Sequence, residues 1–266
     1  MRLHSVGLLK YIVTDYPQLS LNDLATKARA IMRDYGLRVI PVVEKGKLVG
    51  VVSRTNVLST TSSKSNLLVR DIVYEPKVIL KISDNVKEAI LKMLKADEWY
   101  APVVDENNVF KGIFGIDSII KELYGKDIPA NKRSVEEVMT TEVIYVNDDE
   151  ELPTVFYKML KHQYAGLPVL DRKGKVVGII TQHDLLKSGF TRLHLESERA
   201  SGYRRVKAKD IMSVDVVKFP PTATIGDVAK AMVEKDIGRV VIVDRENKLL
   251  GIIDREDIAK AYIPYL

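Results

Sequence analysis

The sequence predicts an α+β protein built from four copies of one small unit, each a short sheet with helices on one face. Two observations carry this prediction. Four similar phrases, spaced 62, 66 and 73 residues apart, each open on a glycine: Gly50, Gly112, Gly178 and Gly251. A methionine lies 18 or 19 residues before each of those glycines: Met32, Met93, Met159 and Met232. A pattern kept at two positions in four places indicates a repeated structural unit.

The third copy shows the order of elements most clearly. A β-rich run at 143–146 is followed by an apolar stripe at helical spacing over 152–160, which predicts an amphipathic helix. Apolar runs at 167–170 and 176–181, joined by a polar turn, predict a hairpin. Asp184 then suits the start of a second helix, where a carboxylate accepts hydrogen bonds from free amides. The predicted unit is β-α-β-β-α, and at about 60 residues it needs a second copy to complete its core.

Composition excludes several classes of protein. The 266 residues are 46% hydrophobic and 29% charged, which is typical of a globular protein. The absence of cysteine excludes a disulfide framework, a thiol nucleophile and cysteine-based metal sites. No apolar run approaches the roughly 20 residues that span a bilayer, and Lys10 interrupts the N-terminal apolar stretch. We therefore expect a cytoplasmic protein without a membrane partner.

The excess positive charge lies in one connector. The whole chain carries a net charge of +5, and the segment 187–209 alone carries seven basic and two acidic residues. We interpret this segment as a linker between the third and fourth copies, or as a helix end that faces a bound phosphate. Binding of nucleic acid through its basic residues is the alternative.

The third phrase resembles the signature of the CBS (cystathionine β-synthase) domain. The resemblance rests on Gly178-Ile-Ile-Thr-Gln-His-Asp184 and on the preceding Leu167-Pro168-Val169. It implies CBS repeats at residues 8–60, 67–124, 133–190 and 206–264. It also implies that repeats 1 and 2, and repeats 3 and 4, pair into two Bateman modules that stack as a flat disc. The four-repeat layout is similar to the γ subunit of AMP-activated protein kinase and its archaeal relatives.

The same resemblance implies an adenosyl ligand and a regulatory role. The family binds AMP, ADP, ATP or S-adenosylmethionine and regulates a partner protein, so we expect AMP, ADP or ATP as ligand and no obligatory cofactor. An acidic residue six positions after the phrase glycine bonds the ribose, and a hydroxyl residue three positions after it helps hold phosphate. The resulting order of sites is repeat 3 with Thr181 and Asp184, repeat 4 with Asp257, repeat 1 with Ser53 and Asn56, and then repeat 2.

Further candidates follow from position within the repeat. Arg38 and Arg239 precede the core proline or its equivalent, where the kinase-γ relatives carry a phosphate-binding base. Arg255 and His183 follow their phrase glycines closely, and His183 is interpreted as a polar residue at the rim. Adenine is expected beside backbone groups near three residues of repeat 3: Tyr145, Gly166 and Pro168.

Three functional classes stay open. The first is a nucleotide-sensing regulator, the second a scaffold subunit whose sites are empty, and the third a nucleic-acid-binding protein. Each candidate aspartate also suits a plain helix cap, and a homodimer is as compatible with the sequence as a single-chain disc. The chain has no phosphate-binding loop, zinc-protease motif or nucleophile elbow, so we expect neither an enzyme nor a metal site.

Overall fold

The structure is a computed structural model, and it describes residues 7–60, 66–189 and 205–266. Its strands are β1 (Ile12–Val13), β2 (Val39–Glu44), β3 (Lys47–Ser53), β4 (Leu80–Lys81), β5 (Tyr100–Val104), β6 (Phe110–Gly115), β7 (Val146–Asn147), β8 (Gly166–Leu170), β9 (Val176–Thr181), β10 (Lys218–Phe219), β11 (Arg239–Val243) and β12 (Leu249–Asp254). The basic connector falls largely outside these residues, since 190–204 are not described.

The α-helices of the described residues precede and follow each hairpin. They are α1 (Ala25–Tyr35), α2 (Arg54–Ser59), α3 (Val86–Lys95), α4 (Asp117–Leu123), α5 (Pro129–Lys132), α6 (Leu152–His162), α7 (Gln182–Lys187), α8 (Ala208–Ile211), α9 (Ile225–Glu234) and α10 (Arg255–Tyr262). The predicted apolar stripe of α6 does face the core, because Leu152, Val155 and Met159 are buried. None of these helices is long and apolar enough to cross a membrane.

Each repeat is built on an antiparallel hairpin. In repeats 2, 3 and 4 a two-residue strand runs parallel to the first strand of the hairpin, as β7 does beside β8. In repeat 1 that strand is reduced to a single parallel bridge between Leu19 and Val42. The α+β fold with four repeats is confirmed. The β-rich run predicted at 143–146 forms a strand only at its end, where β7 starts.

The segment at the start of each repeat crosses to the sheet of the neighbouring repeat. The strand β1 pairs with β6, and Thr140 and Ser213 exchange backbone hydrogen bonds with Ile252 and Ile179. This crossing explains why the phrases need glycine: a Cβ at Gly251 would lie 3.0 Å from the carbonyl oxygen of Thr140 and closer still to the Met139 side chain. Repeats 1 and 2 are therefore joined through their sheets, as are repeats 3 and 4.

The helices join the two modules within one chain. One apolar core combines repeats 2 and 4, and a second combines repeats 1 and 3. Across the second contact, the buried Gln182 donates to the Thr55 hydroxyl at 3.1 Å. The four repeats thus close a ring in which sheets connect 1 to 2 and 3 to 4, while helices connect 1 to 3 and 2 to 4. The open ends of the four hairpins, opposite their turns, meet at the middle of this ring.

Candidate functional site

An outer cavity lies between repeats 3 and 4. It is open to solvent, and its empty space, solvent included, is about 610 Å³. Repeat 3 supplies the crossing segment 140–144 together with Tyr164 and Gly166, and repeat 4 supplies Asp254 and Asp257. Because the segment crosses to the neighbouring sheet, Gly166 shares this cavity with the carboxylates of repeat 4. From the sequence, Gly166 was expected to share a site with Asp184 of its own repeat.

Two carboxylates stand at the start of α10 and face the outer cavity. Asp254 Oδ1 accepts hydrogen bonds from the amides of Glu256 at 2.9 Å and Asp257 at 3.4 Å. Asp257 Oδ2 in turn accepts from the amide of Asp254 at 3.0 Å. Burial raises the pKa of Asp254, and burial together with the charge of Asp254 raises the pKa of Asp257 to about 7. The counter-ion is Arg239, whose guanidinium lies 3.7 Å from Asp254.

A central cavity lies at the middle of the ring. It encloses about 770 Å³ and receives residues from all four repeats, among them Arg38, Trp99 and Ala165. Its wall continues into the outer cavity, because four residues line both cavities. They are Tyr164, Arg239, Asp254 and Glu256. A ligand seated in the outer cavity can therefore extend toward the centre.

Two arginine side chains lie close to the Trp99 ring in the central cavity. The guanidinium carbon of Arg38 lies 4.1 Å from the Trp99 ring centroid, and that of Arg239 lies 5.1 Å from it. Burial, with the nearby charge of Arg239, lowers the pKa of Arg38 to about 9. Among the described residues Arg38 has no acidic partner within ion-pair distance. A desolvated guanidinium without a carboxylate is a strong group for binding an anion.

The guanidinium of Arg255 is bonded to other side chains of the protein and faces neither cavity. It is buried, and it donates to the Tyr100 hydroxyl at 2.5 Å and to Asp236 at 3.0 Å. The bond to Tyr100 ties α10 of repeat 4 to β5 of repeat 2. Arg255 lines neither the outer nor the central cavity.

The candidates of repeat 1 are also engaged. Ser53 caps α2 by accepting from the Asn56 amide at 3.1 Å, and the Asn56 amide group reaches the carbonyl of Ile72 at 3.5 Å. Ser53 lines the central cavity beside Tyr74, which belongs to the segment that crosses from repeat 2. The structure therefore brings Ser53 to the centre of the ring and turns Asn56 toward the crossing segment.

Thr181 and Asp184 form a capping box at the start of α7. Thr181 Oγ1 accepts from the Asp184 amide at 3.2 Å and donates to Asp184 Oδ2 at 2.6 Å. Asp184 Oδ2 also accepts from the Thr181 amide at 2.8 Å. Beside them, His183 Nδ1 is buried and has no hydrogen-bond partner among the described residues. Burial and the charge of Arg54 lower the pKa of His183.

Tyr145 and Pro168 lie outside both cavities. The Tyr145 side chain is exposed, and its carbonyl accepts from Lys158 at 3.3 Å. Pro168 lies inside β8, where it is paired with Ile179 of β9. An apolar part of the wall of the outer cavity is formed by Val143, Ile144 and Leu167. These three were not predicted from the sequence, and two of them, Val143 and Ile144, belong to the crossing segment.

Comparisons with known proteins agree on the repeats. A family model described as CBS domain matches residues 10–62, 69–125, 135–190 and 208–264. Protein MJ1225 of Methanocaldococcus jannaschii is 28% identical over 98% of this chain and 99% of its own length. The crystal structure of MJ1225, which is described as a proposed archaeal homologue of the γ subunit of AMPK, superposes with a TM-score of 0.83 at 25% identity. The match covers 98% of this chain and 100% of MJ1225. A protein from Pyrococcus horikoshii shares the fold over 98% of this chain with a TM-score of 0.65.

Proposed function

Because the chain belongs to the CBS domain family, we propose that it binds an adenine nucleotide whose nucleoside occupies the outer cavity and whose phosphates reach the central cavity. The observation that carries this proposal is the pair formed by Arg239, at the junction of the two cavities, and Arg38, in the central cavity. Arg239 lines both spaces, and Arg38 stands beyond it without an acidic partner among the described residues. A phosphate placed between them gains two guanidinium donors in a partly dehydrated site.

The nucleoside end of the proposed site has matching chemistry. Asp254 and Asp257 offer carboxylate oxygens, which accept hydrogen bonds from a vicinal diol of ribose. Val143, Ile144 and Leu167 form an apolar wall for a planar base. AMP, ADP or ATP fits this combination of groups. S-adenosylmethionine is the alternative ligand, since it carries the same nucleoside and replaces the phosphates with a cationic chain.

We assign the protein a regulatory role rather than a catalytic one. A nucleotide in this position contacts Arg38 of repeat 1 and the carboxylates of repeat 4, so it bridges the two modules. A bridge of this kind shifts a conformational equilibrium when the ligand binds one arrangement of the modules more tightly than another. A partner protein that contacts both modules then senses the ligand. The relation of MJ1225 to the γ subunit of AMPK supports the same assignment.

Calorimetry on the full chain tests the proposal with AMP, ADP, ATP and S-adenosylmethionine. We expect a nucleotide to bind, and Arg38→Ala to weaken that nucleotide about tenfold or more while leaving adenosine unaffected, because Arg38 contacts only phosphate. The matched control is Arg172→Ala, which removes an arginine whose side chain is 87% exposed. Failure of all four compounds to bind at millimolar concentration would contradict the sensor role. It would favour a scaffold subunit whose sites are empty.

A further inference from the structure

The two capping side chains at the start of α10 differ from those at the start of α7 at one position. In α7, Thr181 donates its hydroxyl proton to Asp184. In α10, Asp254 occupies the position of Thr181 and Asp257 that of Asp184, with the same backbone hydrogen bonds. A carboxylate has no proton to donate, so two like charges meet where repeat 3 has a donor and an acceptor.

The surroundings of Asp257 supply little compensation for that charge. Six other charged or titratable groups line the outer cavity with Asp257. Glu256 and Lys260 come from α10, Asp254 from β12 and Arg239 from β11. Glu142 comes from the crossing segment, and Tyr164 from the residue pair before β8. Lys260 is already paired with Glu256 at 2.7 Å. Arg239 is the nearest cation to Asp254, at 3.7 Å. Carboxylates therefore outnumber the free cations in this cavity.

We propose that the Asp254–Asp257 pair is a protonation switch, so that binding of the nucleoside in the outer cavity expels a proton from Asp257. The inference rests on the proposed function, because it concerns the same cavity. The ribose diol donates two hydrogen bonds, which a carboxylate accepts fully and a protonated carboxyl accepts in part. Ligand binding therefore favours the ionised form of Asp257. The buried neighbour Asp254 favours the protonated form.

The sign and size of the effect follow from the titration of Asp257. Its pKa is about 7 because of burial and the neighbouring carboxylate. Below that pH most molecules must lose the proton before they bind the diol, so the affinity falls as the pH falls. A single required ionisation with this pKa weakens binding about tenfold between pH 8 and pH 6.

The experiment measures the dissociation constant of adenosine from pH 5.5 to 8.5 by calorimetry, using the full chain. Adenosine is the probe because a phosphate monoester itself titrates near pH 6. We expect the wild type to lose about tenfold in affinity from pH 8 to pH 6. Asp257→Asn removes the titrating group and gives weaker binding with no pH dependence. Asp254→Thr restores the chemistry of α7, keeps a good helix cap, and moves the midpoint down by about one pH unit or more.

The outcomes separate the switch from the proposed function. Adenosine binding of equal strength at every pH overturns the switch and leaves the nucleotide site intact. A pH dependence that persists in Asp257→Asn also overturns it, because another group then carries the proton. Absence of binding by adenosine and by every nucleotide at every pH overturns both.

Discussion

The helix starts of α7 and α10 share one geometry and differ in electrostatics. Both are capping boxes in which the first residue accepts an amide hydrogen bond from the fourth and the fourth accepts one from the first. In α7 the side chains are a hydroxyl and a carboxylate, which bond to each other at 2.6 Å. In α10 they are two carboxylates. The backbone geometry is thus the same in the two repeats, while the charge at the helix start differs, because Asp254 stands at the position of Thr181 and Glu256 at that of His183.

The largest expected effect comes from removing the counter-ion of the α10 pair. Arg239 is nearly buried, with 11% of its side chain exposed, and lies 3.7 Å from Asp254. Arg239→Ala leaves the partly buried Asp254 without its ion-pair partner, and we expect a loss of about 2 kcal/mol in the free energy of unfolding. Urea denaturation followed by circular dichroism measures it. A loss within about 0.5 kcal/mol, the range of surface substitutions, would show that the pair needs no counter-ion.

A smaller effect is expected from giving α7 the chemistry of α10. Thr181→Asp keeps an acceptor for the Asp184 amide but replaces the hydroxyl donor with a like charge. We expect a loss of about 1 kcal/mol in the free energy of unfolding at pH 8, and a smaller loss at pH 5, where one carboxyl of the pair is protonated.

The control for this substitution is Thr181→Ser, which keeps both the donor and the acceptor. Equal unfolding free energies for Thr181→Asp and Thr181→Ser at pH 8 would mean that the contrast between the two helices has no energetic weight.

The repeats could be predicted from the sequence because packing forces their pattern. Glycine recurs in each phrase since the crossing segment approaches the backbone there, as Thr140 approaches Gly251. Arg38 and Arg239 were selected through the resemblance to the kinase-γ relatives, and both line the central cavity. These features are local, so one repeat can be compared with the next along the chain.

The pairing of residues across repeats could not be predicted in the same way. Gly166 and Asp257 line the same cavity because the segment at the start of repeat 3 pairs with the sheet of repeat 4, and nothing within one repeat indicates that exchange. Arg255 carries the same lesson. Its position matches a phosphate-binding role, but Tyr100 and Asp236 take its guanidinium, and Tyr100 is more than 150 residues away.

The smallest expected effect concerns the pH dependence of stability in the absence of ligand. The pKa of Asp257 is raised in the folded state, from an ordinary value of 3.8 to about 7. The protonated carboxyl therefore favours folding at low pH, and that contribution is lost as the pH rises from about 4 through 7.

Substituting Asp254 with threonine tests this sign directly. Asp254→Thr also removes the carboxylate that pairs with Arg239, so the informative part of its effect is the part that depends on pH. Removal of the like charge lowers the penalty for ionising Asp257, so we expect the melting temperature of Asp254→Thr, relative to the wild type, to be about 2–3 °C higher at pH 8 than at pH 5. Thermal unfolding at the two pH values measures the difference. The opposite order, with the larger gain at pH 5, would contradict the repulsion between the two carboxylates, because a protonated pair has no repulsion to relieve. Asp227→Asn, in the exposed capping box of α9, is the matched control: it neutralises a helix-start aspartate away from both cavities, so the gain specific to pH 8 should be absent.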